Sequence, residues 1–184
     1  MFPNHNYSRQ FNLPIFNILA AITILVNPCL AQSTQSRTVV TFSDGVSCST
    51  PSGPPTFAAL AVSLNGKMPV SSGIGGGGGS GRLTLDDVGI TRATDNCSVS
   101  IFRLFFKGQR IMQVTISFEN LVNGIYKQEL KITLAEAILT SISDTGGVNS
   151  VGQEKLTLAY SKITIFDPQT GQTVTYDVQR NMTT

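Results

Sequence analysis

From Ile111 onward the chain places an apolar side chain at almost every second position, and a period of two is the pattern of a half-buried β-strand. Val114, Ile116 and Phe118 alternate in one run, while Leu130, Ile132 and Leu134 share one face of the next and Lys131 and Thr133 share the other. Ile111 to Asn120 and Ile125 to Leu134 flank a turn at Val122 to Gly124, which is the layout of a hairpin. Ile138, Thr140 and Ile142 predict a further strand that stops at Asp144-Thr145-Gly146-Gly147. Leu156, Leu158 and Tyr160 begin another, yet Ile163 and Ile165 fall on the opposite parity. A bulge, or a strand turning a corner between two sheets, is therefore expected at Ser161-Lys162. Asp167 to Gly171 reads as a turn, and Thr173 to Val178 as the closing strand.

The first half of the chain is also largely strand. Thr38 to Phe42 and Phe57 to Leu64 are β-branched or small and apolar, and a loop rich in Ser, Gly and Pro separates them. Leu83 and Leu85 then open a strand, helix, strand segment that runs to Phe118. Ser98 is placed as an N-cap, Ile101, Phe102, Phe105 and Phe106 supply an apolar face at helical spacing, and Gly108 is a natural stop, so a short helix over 98-107 is expected. The reading of its aromatics is that they pack into the core.

The polar frame of this segment is more specific than its apolar residues. Thr91, Asp95, Ser98, the Ile101-Phe102 pair and Gly108, followed by the strand from Ile111, resemble the signature of the Hcp family, the tube proteins of type VI secretion. In that family a "T-K-x-x-D-x-x-S-P-x-L-F" run opens the long helix. Arg92 stands here for the usual basic residue, and Val99 for the usual proline, whose loss removes some pre-organisation of the first turn. The later strands and turns, through Tyr176-Asp177-Val178, look like those of Hcp proteins in family order, so the resemblance covers most of residues 57 to 181. It implies a mainly β fold: a barrel of two packed antiparallel sheets with one flanking helix, assembled by the family into hexameric rings that stack into a tube.

The N-terminal residues carry a different pattern. The first ten contain one charge, Arg9; Phe11 to Val26 is dominated by apolar residues; and Cys29-Leu30-Ala31 offers small residues before Gln32. A secretory signal peptide over 1-31, cleaved between Ala31 and Gln32, is expected, with a single domain over 32-184 and a secreted or periplasmic destination; the alternatives are a retained N-terminal membrane anchor and a lipoprotein signal, the latter disfavoured by Pro28 before Cys29. No other segment approaches the roughly 18 apolar residues of a membrane span. Removing the peptide leaves twelve basic against eleven acidic side chains and takes away the chain's one histidine, His5. A nearly neutral surface without a basic cluster argues against nucleic acid as a partner, and a domain without His lacks the base for a Ser-His or Cys-His pair and the commonest metal ligand. No catalytic, cofactor-binding or metal-binding residue is assigned. Asp86-Asp87, the one adjacent acidic pair, would point to opposite faces of a strand.

Cleavage would also leave an even pair of cysteines, Cys48 and Cys97, in an oxidising compartment, and a disulfide between them is expected. Closing a loop of about 50 residues stabilises by up to about 4 kcal/mol in the chain-entropy picture. The Gly-rich excursion over 71-81 matches dinucleotide-binding spacing only trivially, since Gly81 is followed by Arg82 and a strand, and it reads as a surface linker. Export and a disulfide sit uneasily with a tube that assembles in the cytoplasm. The preferred reading is an exported, Hcp-like structural protein that is not an enzyme, is a homo-oligomer by resemblance, and has a protein cargo or surface partner. The alternative is a secreted β-barrel that binds a glycan or a cell-surface partner through its loops.

Overall fold

The computed structural model describes residues 35-44, 46, 55-68, 82-148 and 150-183, all within one unit that spans Thr34–Thr184. The expected signal peptide over 1-31, its cleavage site at Ala31 and Gln32, Cys48 and the Gly-rich excursion lie outside the described residues.

Eleven strands and one helix are formed among the described residues. In chain order they are β1 (Ser36–Phe42), β2 (Thr56–Ser63), β3 (Gly66–Lys67), β4 (Thr84–Leu85), β5 (Val88–Ala93), α1 (Ser98–Lys107), β6 (Arg110–Val122), β7 (Ile125–Gly147), β8 (Ser150–Ala159), β9 (Lys162–Phe166), β10 (Thr173–Asp177) and β11 (Met182–Thr183). The pairings β1-β2, β2-β5, β5-β8, β8-β7, β7-β6 and β6-β1 are all antiparallel and return to their starting strand, so these strands close a barrel. β9, β10 and β11 continue outward from β7, and β3 and β4 make a separate two-stranded ribbon. The expected barrel with one flanking helix over 98-107 is what the structure shows.

Alternation explains which side chains fill it. Val40 and Phe42, Val114 and Ile116, Ile132 and Leu134, Leu156 and Leu158 all point inward and are at most 5% exposed. Phe42 and Phe57 meet edge to face with ring centroids 5.5 Å apart, a geometry the ring quadrupoles favour. Burying each such side chain is worth about 1.5–3 kcal/mol, so the barrel wall and its filling are inseparable.

One expectation about the strands needs correcting. The residues after Leu134 do not start a new strand: β7 runs unbroken for 23 residues, from Ile125 to Gly147. Its second edge changes partner along the way, with Lys131 to Ala135 paired to β9 and Ile138 to Gly147 paired to β8. Between these stretches sits Glu136 with a φ of 49°. The apparent gap in the apolar pattern is thus a twist within one strand, not a loop. The parity switch near Ser161, by contrast, does mark the change from β8 to β9, where the Ser161 N-H donates to the Ala135 carbonyl at 3.0 Å.

Helix α1 ends as expected. Gly108 adopts φ 57° and ψ 31°, its N-H donates to the Phe105 carbonyl at 3.0 Å, and the Gln109 N-H donates to the Leu104 carbonyl at 3.1 Å. A Cβ added at Gly108 would meet nothing within 4 Å, so the demand for glycine is conformational and not steric. Gly108→Ala should therefore cost about 1 kcal/mol, the ordinary penalty of a left-handed residue with a Cβ, read as a lower midpoint in chemical denaturation.

Candidate functional site

The residues of the sequence motif converge on the junction between β5, α1 and β8. Val88, Ile90 and Arg92 occupy the inward positions of β5, and Leu158, Leu156 and Glu154 stand opposite them in register on β8. The first two pairs are apolar, and the third continues the same ladder with a cation and a carboxylate, both 0% exposed. Arg92 Nη1 donates to Glu154 Oε2 at 2.6 Å, its Nη2 donates to Asp95 Oδ1, and its guanidinium lies 4.5 Å from the centroid of the Phe57 ring. A charge removed from water survives only with such partners, and here an ion pair, a second carboxylate and an aromatic face supply them. Two atoms of the pair, Arg92 Nε and Glu154 Oε1, are buried without a hydrogen-bond partner.

This cluster also sets the start of the helix, and differently from the sequence expectation. Ser98 is not the N-cap: Cys97 occupies that position, with helical φ and ψ and no side-chain cap, and Ser98 is the first residue of α1. The capping role has moved upstream because Asp95 Oδ1 accepts the Cys97 N-H at 2.7 Å. Ser98 Oγ instead accepts from the Asp95 N-H at 3.0 Å and from Arg92 Nη1 at 3.3 Å. Asp95, Ser98 and Arg92 are thereby knit into one network that fixes the chain as it leaves β5.

The other motif residues are not part of that network. Thr91, one position from Arg92, faces the outer wall and with Ser143, Thr145, Gln153 and Lys155 borders a shallow polar depression of about 270 Å³. Gly108 caps the far end of the helix. Phe102 lies on the helix's outer side, and here the expectation of an aromatic core face is overturned: Cys97, Ile101 and Leu104 are buried, Phe102 and Phe105 are half-buried, and Phe106 is 78% exposed. The physical reason is the 3.6-residue repeat, which gives the inward stripe to 97, 101 and 104 and turns 99, 102 and 106 outward.

Glu154 was not singled out from sequence, although its signal was there. It stands two residues before Leu156 on the inward parity of β8, just as Arg92 stands two after Ile90 on β5. Opposite charges at inward positions of two apolar strands indicate a buried pair.

Among the described residues no group of three or more His, Cys, Asp or Glu is placed to hold a metal ion. Asp87 accepts a hydrogen bond from the Thr140 hydroxyl at 2.8 Å, and the Tyr160 hydroxyl donates to the Asp86 carbonyl at 3.3 Å. Burial first, then the Asp87 and Asp86 charges, push the Tyr160 phenol up to about 12, away from acid-base work near neutrality.

Comparison with known proteins agrees with this geometry. The family model described as "Type VI secretion system effector, Hcp" matches residues 55–166. The fold is similar to that of Hcp1 from Salmonella typhimurium, with a TM-score of 0.64 at 16% identity over 81% of this chain and 99% of that one. A structure titled as a type six secretion system protein gives 0.68 at 13% identity over 82% of this chain and 100% of that one. The secreted protein Hcp3 from Pseudomonas aeruginosa gives 0.56 at 16% identity, over 78% and 97%. No curated protein matches the sequence.

The role of the buried pair can be measured. Glu154→Ala should cost about 3 kcal/mol by leaving the buried Arg92 charge with only the part-exposed Asp95 carboxylate as counter-ion, whereas Arg92→Met with Glu154→Leu should recover most of that loss. A double variant as unstable as Glu154→Ala in urea denaturation would show that the pair itself holds the barrel.

Proposed function

The chain belongs to the Hcp family of type VI secretion effectors, and from that premise we propose that it is an exported, non-enzymatic building block whose working form is a ring of identical subunits. The observation that carries this reading is the match of the family model across the barrel and its helix, from residue 55 to residue 166, with a fold shared by Hcp proteins over nearly their whole length. A closed barrel filled by inward-facing apolar side chains leaves contact between outer surfaces as its means of action. The alternative of a glycan-binding barrel gains nothing from the comparisons.

Strand edges give the ring little support. Unpaired strand edges would favour association, but β1, β2, β5, β6 and β8 find partners on both sides within the chain. Among the described strands free edges remain at β11, at the β3-β4 ribbon and along Ile125 to Leu130 of β7, and association would draw on these and on side-chain surfaces.

Export and the cysteine pair belong to the same reading. The apolar N-terminal run would direct the chain out of the cytoplasm with cleavage after Ala31, and Cys48 would bond to Cys97, which is buried at the start of α1. Such a bond would tether the loop between β1 and β2 to the junction that Arg92 and Asp95 organise.

Light scattering coupled to size exclusion, with negative-stain images, should give a hexamer with a central lumen; a monomer at high protein concentration would overturn the ring. Thiol titration of denatured, unreduced mature protein should find no free thiol, and two thiols would remove the disulfide.

A further inference from the structure

The outer face of α1 is apolar where a solvated helix face is ordinarily polar. Val99 is 69% exposed and Phe106 78%, and half-buried Phe102 lies between them on one stripe. The Phe102 and Phe106 rings sit 5.8 Å apart. Together with Arg103 and Lys107 these three side chains line a shallow depression of about 450 Å³. Arg103 and Lys107 form no ion pair among the described residues, and the helix, Ser98 to Lys107, contains no acidic side chain.

We propose that this face is a docking site for an amphipathic helix of another protein, one whose apolar ridge is flanked by acidic side chains. The stripe from Val99 to Phe106 is about 10 Å long at 1.5 Å per residue, the footprint of about two turns of a partner helix. Covering it would remove two large exposed apolar side chains from water and give both unpaired cations a carboxylate. A second copy of this chain bound through the same face is disfavoured, because each helix would bring Arg103 and Lys107 to the contact and no acidic side chain of its own. An anionic bilayer fits less well than a helix. The exposed carboxylate of Asp95 precedes the stripe, and that of Glu136 lies beside Arg110 just beyond it, so a flat anionic surface would meet both. The inference is independent of ring formation, since it concerns a different partner.

The test uses the full chain and three probes: a designed amphipathic helical peptide with a leucine ridge flanked by Glu, the same peptide with Lys for each Glu, and phosphatidylglycerol vesicles. Fluorescence anisotropy should show saturable binding of the Glu peptide, little of the Lys peptide, and no co-sedimentation with vesicles. Phe106→Ala, and Arg103→Glu with Lys107→Glu, should each weaken the Glu peptide by about tenfold or more, the scale of a hot-spot contact. Thermal melting and oligomeric state should not move, because these side chains lie on the solvent side of the helix. Absence of saturable binding to the Glu peptide, equal binding of the Lys peptide, preference for vesicles, or unchanged affinity in the variants would each overturn the proposal.

Discussion

The interaction on which this structure turns is the pairing of Arg92 with Glu154 inside a barrel otherwise filled with hydrocarbon. Such pairs are poor sources of net stability, because desolvation of both ions consumes most of the attraction gained. Their value lies in the alternatives they penalise. A slip of β8 against β5 by one residue would turn Glu154 outward and leave the buried Arg92 with only the part-exposed Asp95 carboxylate to balance it. The pair thus fixes register on one wall of the barrel, and through Asp95 and Ser98 it carries the same constraint into the first turn of α1. Strand alignment and helix placement are consequences of one buried charge.

Much of this could be read from the sequence because a period of two speaks directly about a barrel wall. The alternation of Val114 and Ile116, and of Leu130, Ile132 and Leu134, assigned strands and inward faces without further information. Where the reading failed, a local signal was outweighed by context. Ala135-Glu136-Ala137 breaks the apolar rhythm and looked like an interruption, yet pairing with β6 resumes on its far side, and the strand absorbs one left-handed residue. The aromatics of α1 were assigned inward on hydrophobicity alone. Cys97, Ile101 and Leu104 form the inward stripe, and at 100° per residue Phe102 and Phe106 fall on the opposite side of the helix with Phe105 at the border between the two.

The site was legible in part. Asp95 was expected at the start of the helix and is there, though it binds the Cys97 N-H where Ser98 had been given that role. Glu154 lies 62 residues from Arg92 in the chain, and no motif spans such a distance; only the shared parity of two strands joins them. Family membership adds meaning to this arrangement: the fold, the barrel with its helix, is held in common with Hcp proteins at 16% identity. The apolar, cationic face of α1 belongs to its outer surface.

β7 is the one strand that contacts β6, β8 and β9, joining the barrel seam to the outward sheet. Traction along it would load ladders on both of its edges in shear, with no order in which they could be peeled apart one at a time. A subunit wired in this way yields as a whole or not at all.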